Sequence, residues 1–210
     1  MTAAPSPSPA PSRRDGVETV LFHSVLGVRP AVRAWAERLR AAGHVVHVPD
    51  LYDGEVFDDY TAAFAHVERI GGIPALIERT HAVVAHLAND LVYAGFSNGS
   101  VSAQLLAATR PGARGALLIH GCVPLEMLGA ERWPDGVPVQ VHVSAGDPYH
   151  DRAHERALRE SVETAGGTFE LFRYPGAAHL FADSGLPAEY DAASAELMLG
   201  RAIEFVNARA

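Results

Sequence analysis

The sequence predicts an α/β fold, a mostly parallel sheet with helices on both faces. Three observations lead there. Short stretches with strand character alternate with longer stretches that carry apolar residues at helical spacing, and no internal repeat interrupts the alternation. At 210 residues and 48% hydrophobic, the chain can bury a substantial core without disulfides or metal. Finally, the apolar run from Leu91 to Ala94 breaks at Gly95-Phe96-Ser97-Asn98-Gly99 and continues into small, helix-compatible residues, the pattern of a strand turning sharply into a helix.

Residues 1–16 are rich in Ala, Pro and Ser, and are expected to be disordered. Prolines at 5, 7, 9 and 11 interrupt the apolar core that a secretory signal needs, and Arg13-Arg14 runs straight into strand-like sequence, unlike a twin-arginine leader. A cytoplasmic protein is expected, with residues 17–210 as a single domain. Residues 17–23 read as the first strand. Residues 29–42 read as a helix with Val32, Trp35, Ala36 and Leu39 on one face, stopped by Gly43. The next strand, 44–48, ends at Pro49-Asp50, and helical segments follow over 60–69 and 73–87. After the strand that ends at Gly95 and its helix, 115–120 is another strand. Residues 137–144 alternate as a strand and run into the turn Ala145-Gly146-Asp147-Pro148. A helix over 151–165, an alternating strand over 168–174 and a helix over 189–208 complete the chain.

The Gly-x-Ser-x-Gly segment reads as a nucleophile elbow. A serine hydroxyl is weakly nucleophilic at neutral pH, so its oxygen must stand on a sharp turn where a base can reach it. Gly95 and Gly99 leave room for the helix to fold back beside the strand, and Ser100, Ala103 and Ala107 keep that approach close. With Ser97 as nucleophile, chain order calls for an acid and then a histidine, each just past a strand. Asp147 and His179 occupy those places. His179 would take the Ser97 proton and return it to the leaving group, while Asp147 fixes the imidazole tautomer. The oxyanion of the intermediate needs backbone donors. The Asn98 N–H, at the positive end of the following helix, is one.

These motifs, with Tyr174-Pro175-Gly176-Ala177-Ala178-His179-Leu180-Phe181 and Pro49-Asp50-Leu51-Tyr52-Asp53-Gly54, resemble the dienelactone hydrolase family over roughly residues 17 to 207. The resemblance implies the α/β-hydrolase fold without a large lid domain, and cleavage of small esters or lactones through an acyl-enzyme. It also implies Val25 as the second oxyanion donor, and a substrate pocket drawing on Ser24, Leu26, Cys122 and Asp183. The best-known members carry cysteine where this chain has Ser97, and they hold an anionic substrate with arginines, one shortly after the catalytic histidine. Here Asp183 stands in that stretch, which predicts a preference for neutral substrates, and Ser24 stands where the family carries an acidic residue in the first loop, so gating of the nucleophile by that residue is not expected. Arg29 is the one nearby cation, and its place before Pro30 suits a structural or surface role. An acyltransferase or thioesterase would use the same three residues, and a non-catalytic α/β binding protein would keep the fold without the chemistry.

Other residue types narrow the function classes. The net charge of −8 argues against nucleic acid, and no apolar stretch reaches membrane-spanning length. All 17 basic residues are arginine, which excludes Schiff-base chemistry and a P-loop lysine. No cofactor is expected, and the partner is a small ester or lactone, with a monomer or homodimer as the assembly. His150 and His154 have ligand-like spacing but lack a third ligand, so no metal is expected. Cys122 reads as a small buried hydrophobe or a cleft border, His23 and His120 as satisfied histidines at strand ends, and Trp133 as surface packing or cleft wall.

Overall fold

The computed structural model describes residues 16–210, so the segment expected to be disordered lies outside the described residues except for Gly16. Side chains alternate across a strand, and here successive residues feed two separate cores. Val92, Ala94 and Phe96 pack on one face of strand β3 (Val92–Phe96), while Tyr93 packs on the other. Leu117 and Ile119 of β4 (Gly115–Ile119) join the first core, and Ala116 and Leu118 the second. Both strands are buried throughout, as a parallel sheet covered on both faces requires.

The first core is covered by α1 (Pro30–Ala41), through Val32, Trp35, Ala36 and Leu39, and by α6 (Ala192–Asn207), through Met198, Leu199, Ala202 and Phe205. The opposite face carries α2 (Tyr60–Arg69), α3 (Gly72–Val84), α4 (Asn98–Thr109) and α5 (Arg152–Thr164), which supply Ala63, Leu76, Leu106 and Leu158 among others. The remaining strands are β1 (Glu18–Phe22), β2 (Val45–His47), β5 (Val139–Ser144) and β6 (Phe169–Tyr174). The order across the sheet is β2-β1-β3-β4-β5-β6, and every pairing is parallel. This is the α/β-hydrolase arrangement, and among the described residues no separate lid domain stands over the C-terminal ends of the strands. Among the described residues no helix is long and apolar enough to cross a membrane.

Helix starts differ from the sequence reading where a side chain caps the helix. Residue 151 opens the expected fifth helix, but Asp151 is its N-cap, accepting from the Ala153 amide at 2.6 Å. Asp191 likewise caps α6 through Ala193 and Ser194, so Glu189, expected inside that helix, stands outside it. Trp133 is not surface packing, and it does not line the cavity that Ser97 opens into. It is 1% exposed and donates its indole N–H to the Val137 carbonyl at 2.8 Å.

Candidate active site

Gly95 and Gly99 explain why β3 can turn straight into α4. A Cβ on Gly95 would lie 2.0 Å from the Gly99 carbonyl oxygen, and one on Gly99 would lie 2.3 Å from that of His23. Both obstacles are backbone, which cannot swing aside. The turn forces Ser97 to φ 52° and ψ −114°, left-handed backbone that non-glycine residues rarely adopt. Neighbours hold it there. Ser97 N–H donates to the Ile119 carbonyl at 2.7 Å, and the Ser100 hydroxyl lies within hydrogen-bond distance of the carbonyls of Ser97 (2.6 Å) and Gly121 (2.7 Å).

The structure brings Ser97, His179 and Asp147 into one hydrogen-bonded line. His179 Nε2 lies 2.7 Å from Ser97 Oγ, and His179 Nδ1 lies 2.7 Å from Asp147 Oδ2. The Asp147 carboxylate is fully buried, and its other oxygen accepts from the Tyr149 amide at 2.9 Å. The loops that carry the acid and the histidine are tied to each other. Gly146 N–H donates to the Gly176 carbonyl at 2.9 Å, and the Ser144 hydroxyl donates to the Ala178 carbonyl at 2.7 Å. A further clasp holds the histidine loop from beyond. Glu189 accepts from the Leu180 amide at 2.7 Å and from the Tyr60 hydroxyl at 2.8 Å, and burial followed by the Glu189 charge raises the Tyr60 pKa.

Ser97 opens into a cavity of about 190 Å³ whose walls include Val25, Tyr60, Phe64, Val101, Cys122 and Tyr149. Val25 and Asn98 therefore stand at the cleft, and neither amide meets a backbone or side-chain acceptor among the described residues. Cys122 is a wall too. Its thiol is pushed up to about 12 by burial and then by the Glu155 charge.

Three expected pocket residues are not brought to the cleft. The loop after β1 closes tightly, with Gly27 N–H on the Ser24 carbonyl at 3.1 Å, and only Val25 faces the cavity. The Ser24 hydroxyl turns back to accept from the Leu26 amide at 3.2 Å, and Leu26 is fully buried in the core. Asp183 is drawn away by Arg29. The Arg29 Nε donates to Asp183 Oδ2 at 2.6 Å, and the rest of the guanidinium is spent on Asp58 and the carbonyls of Phe57 and Gly185. Arg29 is 3% exposed, so its role is structural and internal, not at the surface.

The histidines divide in the same way. His23 is satisfied, with Nδ1 donating to the Ser24 carbonyl at 2.6 Å and Nε2 accepting from the Leu51 amide at 3.0 Å. His120 is not: neither ring nitrogen has a partner among the described residues, although it is 2% exposed and at φ 70°. Its ring lies 5.8 Å from that of His179, and burial holds its pKa well below the ordinary value. His150 pairs with Glu155 at 3.0 Å and His154 lies 3.8 Å from Asp151, so the two do not converge. No group of three or more His, Cys, Asp or Glu suited to a metal occurs among the described residues. The residues that sequence reasoning missed are the aromatic walls Tyr60, Phe64 and Tyr149, together with Glu189. Tyr149, two residues past Asp147, carried the only local signal.

The solved structures that resemble this chain share its fold. A dienelactone hydrolase-like promiscuous phosphotriesterase from metagenomic libraries matches with TM-score 0.75 and 19% identity, over 94% of this chain and 89% of that one. Esterase PE8 matches with TM-score 0.57 and 20% identity, over 93% and 96% of the two chains. A thermophilic esterase of Thermogutta terrifontis, with propionate bound, matches with TM-score 0.57 and 19% identity, over 95% and 86%. No curated protein matches the sequence. The profile of the dienelactone hydrolase family matches residues 5–209, nearly the whole chain. The chain therefore belongs to the dienelactone hydrolase family, carboxylic ester hydrolases built on the α/β-hydrolase fold.

Proposed function

We propose that this protein is a serine hydrolase that cleaves small, neutral carboxylic esters or lactones through an acyl-enzyme. The observation that carries the reading is the line from Ser97 Oγ through His179 to Asp147, 2.7 Å at each step, at the floor of a cavity. Ser97 Oγ attacks the substrate carbonyl as its proton passes to His179 Nε2, and Asp147 stabilises the imidazolium. The Asn98 and Val25 amides receive the oxyanion, Asn98 from the positive end of α4. Collapse of the intermediate breaks the carbonyl–oxygen bond, and His179 returns the proton to the departing alkoxide. Water then repeats the sequence on the acyl-enzyme, with the Ser97 oxygen as leaving group. The preference for neutral substrates rests on the walls, none of which is an arginine, lysine or exposed carboxylate. Arg29, the one candidate for holding a substrate carboxylate, is engaged by two aspartates and two carbonyls.

The test compares kcat/KM for a neutral aryl ester and its carboxylate-bearing analogue in the wild type, Ser97→Ala and Arg29→Ala. Wild type should favour the neutral ester, and Ser97→Ala should lower kcat by a factor on the order of 10³ to 10⁶ with the fold intact. Near-normal turnover by Ser97→Ala would sink the nucleophile. A preference for the anion that Arg29→Ala abolishes would sink the neutral substrate class.

A further inference from the structure

Between α3, α4 and the 3₁₀ turn Leu125–Leu128 runs an apolar groove of about 50 Å³. Ile73, Leu76 and Ile77 form one wall, Val101 and Leu105 the floor, and Met127 and Leu128 the far side. Two of its polar members, the Thr80 and Ser102 hydroxyls, satisfy each other at 2.9 Å, and the third, Asn98, stands at the end toward the catalytic cavity. No wall carries a charge. Three of the wall residues are left open to solvent, Ile73 at 57%, Ile77 at 39% and Met127 at 61%. Clustered exposed apolar side chains beside a cleft are a feature of ligand grooves.

The groove adjoins the catalytic cavity, since Asn98 and Val101 are walls of both. Asn98, Val101, Ser102 and Leu105 lie along one face of α4, and seven residues of helix extend about 10 Å, the reach of a medium acyl chain. Direction within the site selects which half of a substrate enters. The leaving oxygen must face His179 Nε2, which returns its proton, and His179 and Tyr149 line the cavity but not the groove. The alcohol portion therefore belongs beside His179 and Tyr149. The acyl portion belongs on the α4 side.

We infer that this groove binds the acyl chain of the substrate, so that the enzyme prefers esters of medium-chain, hexanoyl to octanoyl, unbranched acids over acetates. The inference rests on the hydrolase reading and names its substrate class. A buried methylene is worth about fourfold in kcat/KM. The experiment measures 4-nitrophenyl esters from acetate to octanoate on the wild type, Ile77→Glu and Met127→Glu, both positions being solvent-facing and outside the catalytic machinery. The wild-type kcat/KM should rise about tenfold or more from acetate to octanoate. Each variant should remove most of that gain and leave acetate turnover within about twofold. A flat or falling chain-length profile in an active wild type overturns the inference alone, as does a gain that survives in both variants. Failure of every ester, with no labelling of Ser97 by a fluorophosphonate, overturns the hydrolase reading and the groove with it.

Discussion

Ser97 stores the cost of its own exposure. A non-glycine residue held in left-handed backbone costs on the order of 1 to 3 kcal/mol, and such strain persists only where the surroundings dictate it. Here they do, through the Ile119 carbonyl, the Ser100 hydroxyl and two glycines that admit no side chain. The one cysteine contrasts with the serine that lines the same cavity. With its thiol pushed up to about 12, Cys122 has almost no thiolate at neutral pH, and the thiolate is the reactive form. Iodoacetamide near pH 7.5 should therefore leave the wild type unmodified by mass and fully active. Ser97→Cys, whose new thiol would take the place of the hydroxyl that meets His179 Nε2, should be alkylated once under the same conditions. Ready alkylation of the wild type, or inertness of Ser97→Cys, would contradict this assignment of reactive and inert positions.

At the scale of elements, the elbow is where sequence and geometry agree most closely, because its requirement is backbone approach and glycine is the only residue that meets it. Gly99→Ala would place a methyl 2.3 Å from the His23 carbonyl oxygen and 2.7 Å from that of Phe22. Separating α4 from β1 to relieve this should cost about 1 to 3 kcal/mol, read as a lower urea midpoint, and should also reduce turnover by displacing Ser97. A variant with unchanged stability and rate would show that the close approach is dispensable. The order of Ser97, Asp147 and His179 was legible for a similar reason, since each follows directly on a strand and parallel strands deliver their ends to one edge. Side-chain direction in loops was not. Whether Ser24, Val25 or Leu26 faces the cleft depends on one tight turn, and Asp183 turned inward because a buried guanidinium 154 residues earlier in the chain demanded a partner. The same limit hid Glu189, whose helical spacing suggested α6 while its carboxylate holds the Leu180 amide and Tyr60.

Across the whole molecule, burial of histidines ties stability to pH. His23, His120 and His142 are all buried, and desolvation lowers each pKa, that of His142 from 6.5 to about 3. The unfolded chain then binds protons near pH 6.5 that the folded chain refuses, so stability is full above that pH and falls as pH drops through it. Each such site contributes a slope of about 1.4 kcal/mol per pH unit below 6.5, and for His142 the loss continues toward pH 3. Urea unfolding between pH 7 and 5 should show this decline, and His142→Gln should make it shallower by about one proton whatever its effect at pH 7. A flat profile would mean that these rings are already charged in the folded state. The parallel sheet serves a single end, to hold a serine, a histidine and a carboxylate from three strand ends in one line. The most direct measurement of that claim is the intact mass of the protein after treatment with a fluorophosphonate. The account predicts one adduct, mapped to Ser97, abolished in Ser97→Ala and formed much more slowly in His179→Ala. An adduct that persists in Ser97→Ala, or ester hydrolysis that continues once Ser97 is fully blocked, would contradict it.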